Sequence, residues 1–328
     1  MTTFTPQRID QLLKTVKNKR VAIIGDVMID RYVWGTVSRI SPEAPVPVVE
    51  VESESTRLGG AANVANNITS LGAKALLIGV VGNDNNGKEL RLYLEKENTS
   101  SEGIVTDPSR PTTVKTRVIA HSQHVVRIDS EEKKDIGGEI QNKIISILEK
   151  NISAIDGIII EDYNKGVVVK ELIHRITELA RKTNTVITID PKFNNFFEYK
   201  NVTVFKPNKK ETEEALGRRL QTDDDVVAAG KTLLEKLNAQ NVLLTRGEKG
   251  MSVFEKSGSV THIPTRARHV ADVSGAGDTV IATLTAMLAG GATMQEAASL
   301  ANYAGGIVCG EVGIVPIDPA ILRSTILG

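Results

Sequence analysis

The chain has 328 residues, of which 41% are hydrophobic and 24% are charged, with 40 Lys and Arg against 40 Asp and Glu. This composition is typical of a globular protein, with apolar material for one large core or two domains. The formal charge of zero and an aromatic content of 4% argue against a nucleic-acid partner. Any attraction for an anionic ligand must therefore be local.

Nothing in the sequence predicts a membrane partner. Residues 1–20 contain no apolar segment of the kind found in secretory signals. The uncharged stretch Thr279–Met294 is shorter than the roughly 18 residues of a membrane span, so it is interpreted as a buried helix. Cys309 is the single cysteine and lies in an apolar run, which predicts a small buried side chain. Without an internal disulfide, the chain suits the reducing cytoplasm, which is the location we expect.

Short apolar runs in chain order predict strands buried on both faces. They are Val21–Gly25, Ala75–Val81, Gly157–Ile160, Thr185–Ile189, Val202–Phe205 and Val242–Thr245. Helical patterns such as Val169–Lys182 and Val226–Leu237 lie between them and are long enough to cross over the sheet. This alternation predicts an α/β fold whose mostly parallel central sheet is covered by helices on both faces.

Two regions interrupt the alternation. Tyr32–Glu52 contains three prolines before a β-branched run, and Thr112–Asp129 alternates polar with β-branched residues. Both patterns predict half-buried antiparallel strands. We expect these strands, at about 32–57 and 112–129, to form a small β-sheet lid over the carboxyl edge of the main sheet, where open α/β folds bind ligands. Residues 1–328 are expected to form a single domain with these lid strands inserted in it.

A glycine-containing turn after the second predicted strand nearly matches a phosphate-binding P-loop. In Gly82–Glu89, however, Glu89 stands where a hydroxyl should bind magnesium, and Asp84 adds a negative charge to the phosphate cradle. We therefore predict that this segment is a structural turn into a helix.

A second glycine segment, Gly275-Ala276-Gly277, directly precedes the helical pattern Thr279–Leu288. Free N–H groups at a helix start attract anions, and Asp278 in the first turn would repel a phosphate unless it faces an incoming hydroxyl. A carboxylate that accepts the proton of the nucleophile, beside N–H groups that stabilise the transferred group, suits phosphoryl transfer. Ser, Asp and Gly also favour an ordinary capping turn, and composition alone leaves both interpretations open.

Several motifs, taken together and in this order, resemble those of the ribokinase-like (PfkB) sugar kinases. They are Leu58–Ala65, Val81–Gly87, Lys206–Glu211, Thr245–Gly247 and Asp272–Asp278. The resemblance covers essentially the whole chain. It implies a ribokinase-like fold with a small β-sheet lid, phosphoryl transfer to a sugar hydroxyl, and ATP and Mg²⁺ as cofactors. Ser274 departs from the threonine found in many relatives but keeps the hydroxyl.

The resemblance assigns a role to each matching residue around the phosphates. Asp278 corresponds to the proton acceptor, and Gly275, Ala276 and Gly277 correspond to the anion hole. The nucleotide would contact Asn208, Glu211, Thr245, Gly247 and Asn302. Glu211 would also hold Mg²⁺ through water, and Asp272 would be a ligand of a monovalent cation such as K⁺. For Asn208 and Glu211, a helix cap with its capping-box partner is an open alternative.

On the sugar side, the resemblance implies that Asp30 binds ring hydroxyls and that Gly59, Gly60 and Asn63 line the same pocket. The glycines would permit close backbone approach, and Asn63 offers both a donor and an acceptor. A tight turn before the predicted helix Ala61–Leu71 explains the glycines equally well.

Finer features resemble the kinases of bacterial ADP-heptose synthesis, which phosphorylate D-glycero-β-D-manno-heptose 7-phosphate at the anomeric oxygen. They are Gly25–Tyr32, Ser41–Pro47, Asp162–Gly166, Asp190–Lys192 and Ala301-Asn302. Since such a substrate carries a phosphate, a neutral chain needs local cations, and the candidates are Arg117, Lys165, Lys192 and Arg127.

The resemblance also implies a domain organisation and an oligomeric state. A chain ending at Gly328 is expected to be a stand-alone kinase, and a homodimer through the lid is expected because exposed sheet edges invite pairing. Two rival functions stay open. One is a PfkB-type kinase of ribose, fructose 1-phosphate or a ketogluconate, and the other is a catalytically silent sugar sensor.

Overall fold

The computed structural model describes residues 4–121, 123–266 and 270–328. In chain order its strands are β1 (Arg20–Gly25), β2 (Val27–Ile40), β3 (Pro47–Gly60), β4 (Lys74–Val81), β5 (Ile104–Thr106), β6 (Val114–Ala120), β7 (Gln123–Ser130), β8 (Gly157–Glu161), β9 (Val186–Asp190), β10 (Val204–Phe205), β11 (Asn241–Thr245), β12 (Met251–Glu255) and β13 (Val260–Ile263). Its α-helices are α1 (Pro6–Val16), α2 (Ala61–Ser70), α3 (Asn85–Lys96), α4 (Gly138–Asn151), α5 (Lys170–Thr183), α6 (Lys209–Leu216), α7 (Asp223–Leu237), α8 (Ala276–Ala289), α9 (Met294–Val308) and α10 (Pro319–Leu327).

The larger sheet has the strand order β13-β12-β11-β10-β9-β8-β1-β4-β5. Its strands are parallel from β11 to β5, while β12 and β13 join the edge antiparallel. The six strands predicted from apolar runs all lie in the parallel part, which confirms the predicted fold class. In β1, Val21 and Ile23 face one core while Ala22 and Ile24 face the other. The sheet is therefore buried on both faces, as its continuous apolar runs require.

Helices cover each face of this sheet. On one side α1, α2, α8, α9 and α10 contribute to the core, and on the other side α4, α5 and α7 do so. Burial of each large apolar side chain contributes about 1.5–3 kcal/mol, so these two layers supply much of the stabilising free energy. The carboxyl edge of the sheet stays uncovered by these layers, and the chain brings its polar residues there.

The smaller sheet has the order β3-β2-β6-β7 and is formed by the two regions where inserted strands were predicted, with β2 beginning earlier, at Val27, and β3 ending later, at Gly60. Its outer pairs, β2–β3 and β6–β7, are antiparallel as expected. Its central pair is parallel, with Asp30 opposite Lys115, which the local pattern could not predict. Because β2 starts directly after β1, the small sheet begins at the carboxyl edge of the large one.

Three further features bear on the sequence predictions. Within the described ranges, no helix is long and apolar enough to cross a membrane. Asp84 caps α3, and its carboxylate accepts hydrogen bonds from the N–H of Gly87 (2.7 Å) and of Thr112 (2.8 Å). The P-loop-like segment is thus the structural turn that was predicted. The prediction of burial for Cys309 is only partly right, because its side chain is half-buried at the end of α9.

Candidate active site

Asp278 lies in the first turn of α8, at the carboxyl edge of the large sheet, and is 3% exposed. Its Oδ2 accepts a hydrogen bond from Asn63 Nδ2 (2.7 Å), and its Oδ1 accepts one from the Tyr163 hydroxyl (2.8 Å). Burial raises the pKa of Asp278 to about 6, although these two hydrogen bonds act in the opposite direction. The result is an oriented carboxylate that is ionised at neutral pH and basic enough to accept a proton.

The glycine segment forms the start of α8. Gly275 has a φ of 76°, in the left-handed region, and a Cβ there would lie 2.9 Å from Asn63 Nδ2. The N–H of Ala276 donates to Val273 O (3.3 Å). Among the residues that the structure describes, nothing accepts from the N–H of Gly275 or Gly277. The predicted anion-hole residues therefore stand together beside Asp278, with two N–H groups free for a ligand at the positive end of the helix dipole.

A buried ion pair lies on the other side of this turn. Lys206 Nζ and Asp190 Oδ2 are 2.8 Å apart, and both side chains are less than a tenth exposed. Burial opposes the charge on Lys206, but Asp190 raises the pKa of its ammonium group, which therefore stays protonated. A Cβ on Gly277 would lie 3.9 Å from Lys206 Nζ, which places a cation next to the free N–H groups. The sequence interpretation gave neither residue of the pair a role, although both lie in the motifs that it used.

Glu161 adds a third carboxylate to this region, at the end of β8. Oxygen atoms of Glu161, Asp190 and Asp278 lie within 4.8 Å of one another, and Glu161 Oε2 is buried without a hydrogen-bond partner among the described residues. Burial and the charges of the other two carboxylates raise the pKa of Glu161 well above its usual value. Hard oxygen donors at this spacing can hold a divalent cation. The sequence analysis assigned no role to Glu161.

Asn208 and Glu211 begin α6. The Asn208 side chain accepts from the Glu211 N–H (2.8 Å), and Glu211 Oε2 accepts from the Asn208 N–H (2.8 Å). The capping-box alternative is therefore present in the structure. Glu211 Oε1 also pairs with Lys192 Nζ at 2.5 Å. The structure thus places Lys192, which was predicted to contact the sugar phosphate, beside Glu211.

A groove of about 770 Å³ runs past these residues. Its walls contain most of the predicted nucleotide residues, Asn208, Thr245, Gly247 and Asn302, together with the segment 275–278. The Asn302 amide donates to Pro264 O (2.8 Å), which fixes its orientation in the wall. Glu211 is the one predicted nucleotide residue that is not in the wall.

Asp30 is buried in β2 and forms an ion pair with Arg117 of β6. Gly59 of β3 pairs with Met28 of β2, and a Cβ on it would lie 2.0 Å from Asp30 Oδ2 and 2.8 Å from Met28 Cγ, which favours glycine there. Gly60 has a φ of 56°, and a Cβ there would lie 2.4 Å from Asp26 O. Because Asn63 follows in the first turn of α2 and bonds Asp278, the structure brings the predicted sugar residues to one side of the Asp278 carboxylate.

The predicted phosphate cations at this end are already paired. Lys165 binds Glu131 at 2.7 Å, Arg117 binds Asp30, and Arg127 binds Asp129 at 2.8 Å. Lys115 of β6, which the sequence interpretation missed, has no ion-pair partner among the described residues. Its Nζ lies 5.1 Å from the centre of the Tyr163 ring, and burial lowers its pKa. A signal was available, since β-branched residues flank Lys115 in a predicted lid strand.

Asp272 lies in a separate cavity of about 500 Å³, whose walls include Tyr32, Arg117 and Gly313. Its Oδ1 accepts from the Ser274 N–H (2.9 Å), and its Oδ2 accepts from the Gly313 N–H (3.1 Å). Burial opposes ionisation, but the N–H donors outweigh it and hold the pKa of Asp272 below its usual value. The carboxylate is thus charged and fixed between two loops, and its role as a cation ligand stays a prediction.

A parallel sheet, a small sheet at its carboxyl edge and a carboxylate in the first turn of a helix together define the ribokinase-like class of sugar kinases. The chain belongs to the PfkB family, because the model of the pfkB family carbohydrate kinases matches residues 18–320. It is thus a phosphotransferase that acts on a sugar hydroxyl and uses ATP with a divalent metal ion.

Relatives and solved structures agree with this family. The chain is 44% identical over 298 residues to the bifunctional protein HldE of Geobacter sulfurreducens, covering 91% of this chain and 61% of that protein. It therefore spans less than two thirds of the relative. Phosphofructokinase-2 from Escherichia coli in complex with substrates and products has a TM-score of 0.77 at 18% identity, covering 94% of this chain and 100% of that one. Arabidopsis thaliana ribokinase complexed with ribose and ATP has a TM-score of 0.75 at 17% identity, with coverages of 94% and 98%. Both structures show the shared fold.

The pKa of Asp278 predicts how turnover depends on pH. If Asp278 must be ionised to accept a proton, the turnover number falls as the pH drops through about 6, the pKa raised by burial. In Tyr163→Phe this acidic limb should move to higher pH, because the hydroxyl that lowers the pKa is gone. The check is a profile of turnover at saturating substrates from about pH 5 to pH 8. A profile that stays flat down to pH 5 would exclude Asp278 as the titrating base.

Proposed function

We propose that the chain transfers the γ-phosphoryl group of ATP to the anomeric hydroxyl of D-glycero-β-D-manno-heptose 7-phosphate. The product is the 1,7-bisphosphate, a precursor of ADP-heptose and hence of lipopolysaccharide. The main support is the buried Asp278 in the wall of the groove. Hydrogen bonds from Asn63 and Tyr163 orient both of its carboxylate oxygens. The finer motifs shared with heptose kinases, and 44% identity to the HldE relative, support this sugar over others.

In the proposed reaction, Asp30 and Asn63 hold the sugar ring, and Gly59 and Gly60 let the ring approach the backbone. Asp278 then accepts the proton of the anomeric hydroxyl as the hydroxyl oxygen attacks the γ-phosphorus in line. The bond between the γ-phosphorus and the bridging oxygen breaks, and ADP leaves with that oxygen. Charge that develops on the transferred group meets the free N–H groups of the α8 turn and the Lys206 ammonium. The small sheet excludes water that would otherwise hydrolyse ATP.

Magnesium fits the residues that are present. Glu161 Oε2 is buried beside Asp190 and has no hydrogen-bond partner in the part of the chain that the structure describes, and Asn208 and Glu211 stand at the start of α6. Glu161 and Asp190 are suitable direct ligands, and Glu211 is suited to contact through water, since its oxygens already accept from Asn208 and Lys192. When bound, the ion neutralises phosphate charge. For K⁺ we propose Asp272, whose carboxylate is ionised and fixed by two N–H groups.

For the substrate phosphate we propose Lys115 as the principal cation, with Lys165 and Arg117 nearby in ion pairs of their own. Lys115→Met is expected to raise the KM for heptose 7-phosphate about tenfold or more, since a charge-assisted contact contributes about 1.5–3 kcal/mol. The KM for the unphosphorylated heptose should change little. Lys133→Met is the matched control, because Lys133 is 70% exposed. Equal losses with both sugars would remove Lys115 from phosphate recognition.

We further propose that 1–328 is one kinase domain, with the small sheet as its lid, and that two copies pair through this sheet. The apolar side chains of Val51, Val126 and Ile128 are about half exposed on its edge strands β3 and β7. Pairing would cover them and the open strand edges. The proposed function also places the protein in the cytoplasm, where ATP and sugar phosphates are available.

Coupled ADP release across a panel of sugars tests the proposal. With ATP and magnesium we expect turnover with heptose 7-phosphate that far exceeds turnover with ribose, fructose 1-phosphate or a ketogluconate. Product from ribose but not from heptose 7-phosphate would overturn the substrate assignment. No ADP with any sugar, while sugar or nucleotide still binds, would instead favour a catalytically silent sensor.

A further inference from the structure

Asp26, which lies between β1 and β2, is 1% exposed. Its carboxylate accepts hydrogen bonds from three backbone N–H groups of one loop. Oδ2 accepts from Tyr163 (2.7 Å) and Lys165 (3.2 Å), and Oδ1 accepts from Val167 (3.2 Å). The loop that carries Tyr163 is therefore folded around this side chain.

The backbone of Asp26 holds a second segment. Its carbonyl oxygen accepts a hydrogen bond from the Ala61 N–H (3.0 Å), which fixes the start of α2. Gly60 must be glycine there because a Cβ would lie 2.4 Å from the same oxygen. Asn63 follows in the first turn of that helix, so its position depends on this contact.

The two segments meet again at Asp278. Tyr163, from the loop, donates to Oδ1 of Asp278, and Asn63, from α2, donates to Oδ2. We propose that Asp26 is a positioning residue that orients the catalytic carboxylate through two connections. Its side chain acts through Tyr163, and its backbone carbonyl acts through Asn63. This inference rests on the proposed role of Asp278 as the base.

A role for Asp26 in loop stability alone does not explain why a charged side chain is buried at this position. Burial of a carboxylate is costly, and here Asp162 lies close enough for its negative charge to add to the cost. A loop that only needed an acceptor could use a neutral side chain. An ionised carboxylate binds several N–H groups more strongly, because charge-assisted hydrogen bonds are about twice as strong as neutral ones. The arrangement fixes the loop tightly, and the shortest of these contacts is to the N–H of Tyr163, whose own side chain bonds Asp278.

Double-mutant cycles test the two connections separately. Asp26→Asn keeps the backbone carbonyl but places an amide NH₂ against N–H groups, so it should disturb the Tyr163 connection alone. We expect turnover to fall about tenfold with an unchanged KM for ATP, and Tyr163→Phe to give a similar loss. The double variant Asp26→Asn/Tyr163→Phe should be no slower than the slower single variant. With Asn63→Ala, by contrast, the losses should multiply.

A matched control separates positioning from general capping. Asp84 likewise accepts two backbone N–H groups with its carboxylate, but it caps α3. Asp84→Asn should leave turnover within about twofold of the unmodified protein and multiply with Tyr163→Phe. If Asp26→Asn does not fold, Asp26→Ser retains one acceptor and is measured in the same cycle.

The outcomes are distinguishable from failure of the proposed function. Multiplying losses for Asp26→Asn with Tyr163→Phe, or normal turnover in Asp26→Asn while Asp278→Asn is inactive, would overturn the inference alone. Failure of both Asp26 variants to fold would also overturn it, since the residue would then serve the whole fold. Near-normal turnover in Asp278→Asn would overturn the proposed base and, with it, the inference.

Discussion

Replacing Asp278 with asparagine is expected to lower the turnover number by about 100-fold or more while ATP still binds. The amide has nearly the shape of the carboxylate and can keep one of the contacts to Asn63 and Tyr163. The amide cannot accept the proton of the sugar hydroxyl, so water, a much weaker base, would have to accept it instead. Turnover by ADP release and ATP affinity by calorimetry measure the two effects independently. Near-normal turnover would exclude Asp278 as the base.

The same variant should be more stable than the unmodified protein at pH 7. Burial raises the pKa of Asp278 from 3.8 to about 6, so the folded state binds this proton more tightly than the unfolded state. The stability that the group contributes is thus present below about pH 4 and is lost as the pH rises through 6. A neutral amide avoids that loss, and a higher Tm at pH 7 is expected. The difference should shrink toward pH 4.

Asp30→Asn is expected to lower kcat/KM for the sugar by about 100-fold with little change in the KM for ATP. The change removes the carboxylate that we propose binds the sugar hydroxyls, and it leaves the Arg117 guanidinium, 16% exposed, without this partner. Losing one member of a buried ion pair typically costs about 3–5 kcal/mol, because the other charge stays desolvated. Initial rates with each substrate varied in turn separate the two KM values.

Asp129→Asn provides the matched control on the same sheet. Asp129 pairs with Arg127, whose side chain is 57% exposed, so its loss should matter little. Equal effects of the two substitutions on the sugar KM would show that the lid needs the charge in general rather than Asp30 in particular.

The sequence predicted six of the seven parallel strands of the large sheet because each of the six is a continuous apolar run bounded by turns, whereas the three-residue β5 is too short to give such a run. Val21–Gly25 and Gly157–Ile160 needed no tertiary information, since both faces of these strands are buried. The antiparallel hairpin β12–β13 was missed because its outer strand, Val260–Ile263, is partly exposed and lacks such a run. The parallel pairing of β2 with β6 joins strands far apart in the chain, and no local pattern determines it.

At the site, local motifs identified the functional segments but not their contacts. Asp278, which directly follows the glycine segment, is hydrogen-bonded by Asn63, which lies 215 residues away from it in the chain, and no local motif predicts such a contact. The pairing of Lys192 with Glu211, and of Lys165 with Glu131, joins segments that are separate in the chain, so the sequence could not show that these two predicted cations already have partners. Lys115 and Glu161 become candidates only through their neighbours in the fold. Lys115 lies over the Tyr163 ring, and Glu161 lies beside Asp190 and Asp278, which are distant from it in the sequence.

Phosphorus NMR of the reaction product tests the proposed function most directly. With ATP, magnesium and heptose 7-phosphate, we expect a new phosphate signal coupled to the anomeric proton, with one ADP formed for each sugar consumed. The 7-phosphate signal should persist, as the 1,7-bisphosphate requires. A new phosphate coupled to any other carbon-bound proton, or no new sugar phosphate while ribose is phosphorylated, would contradict the account.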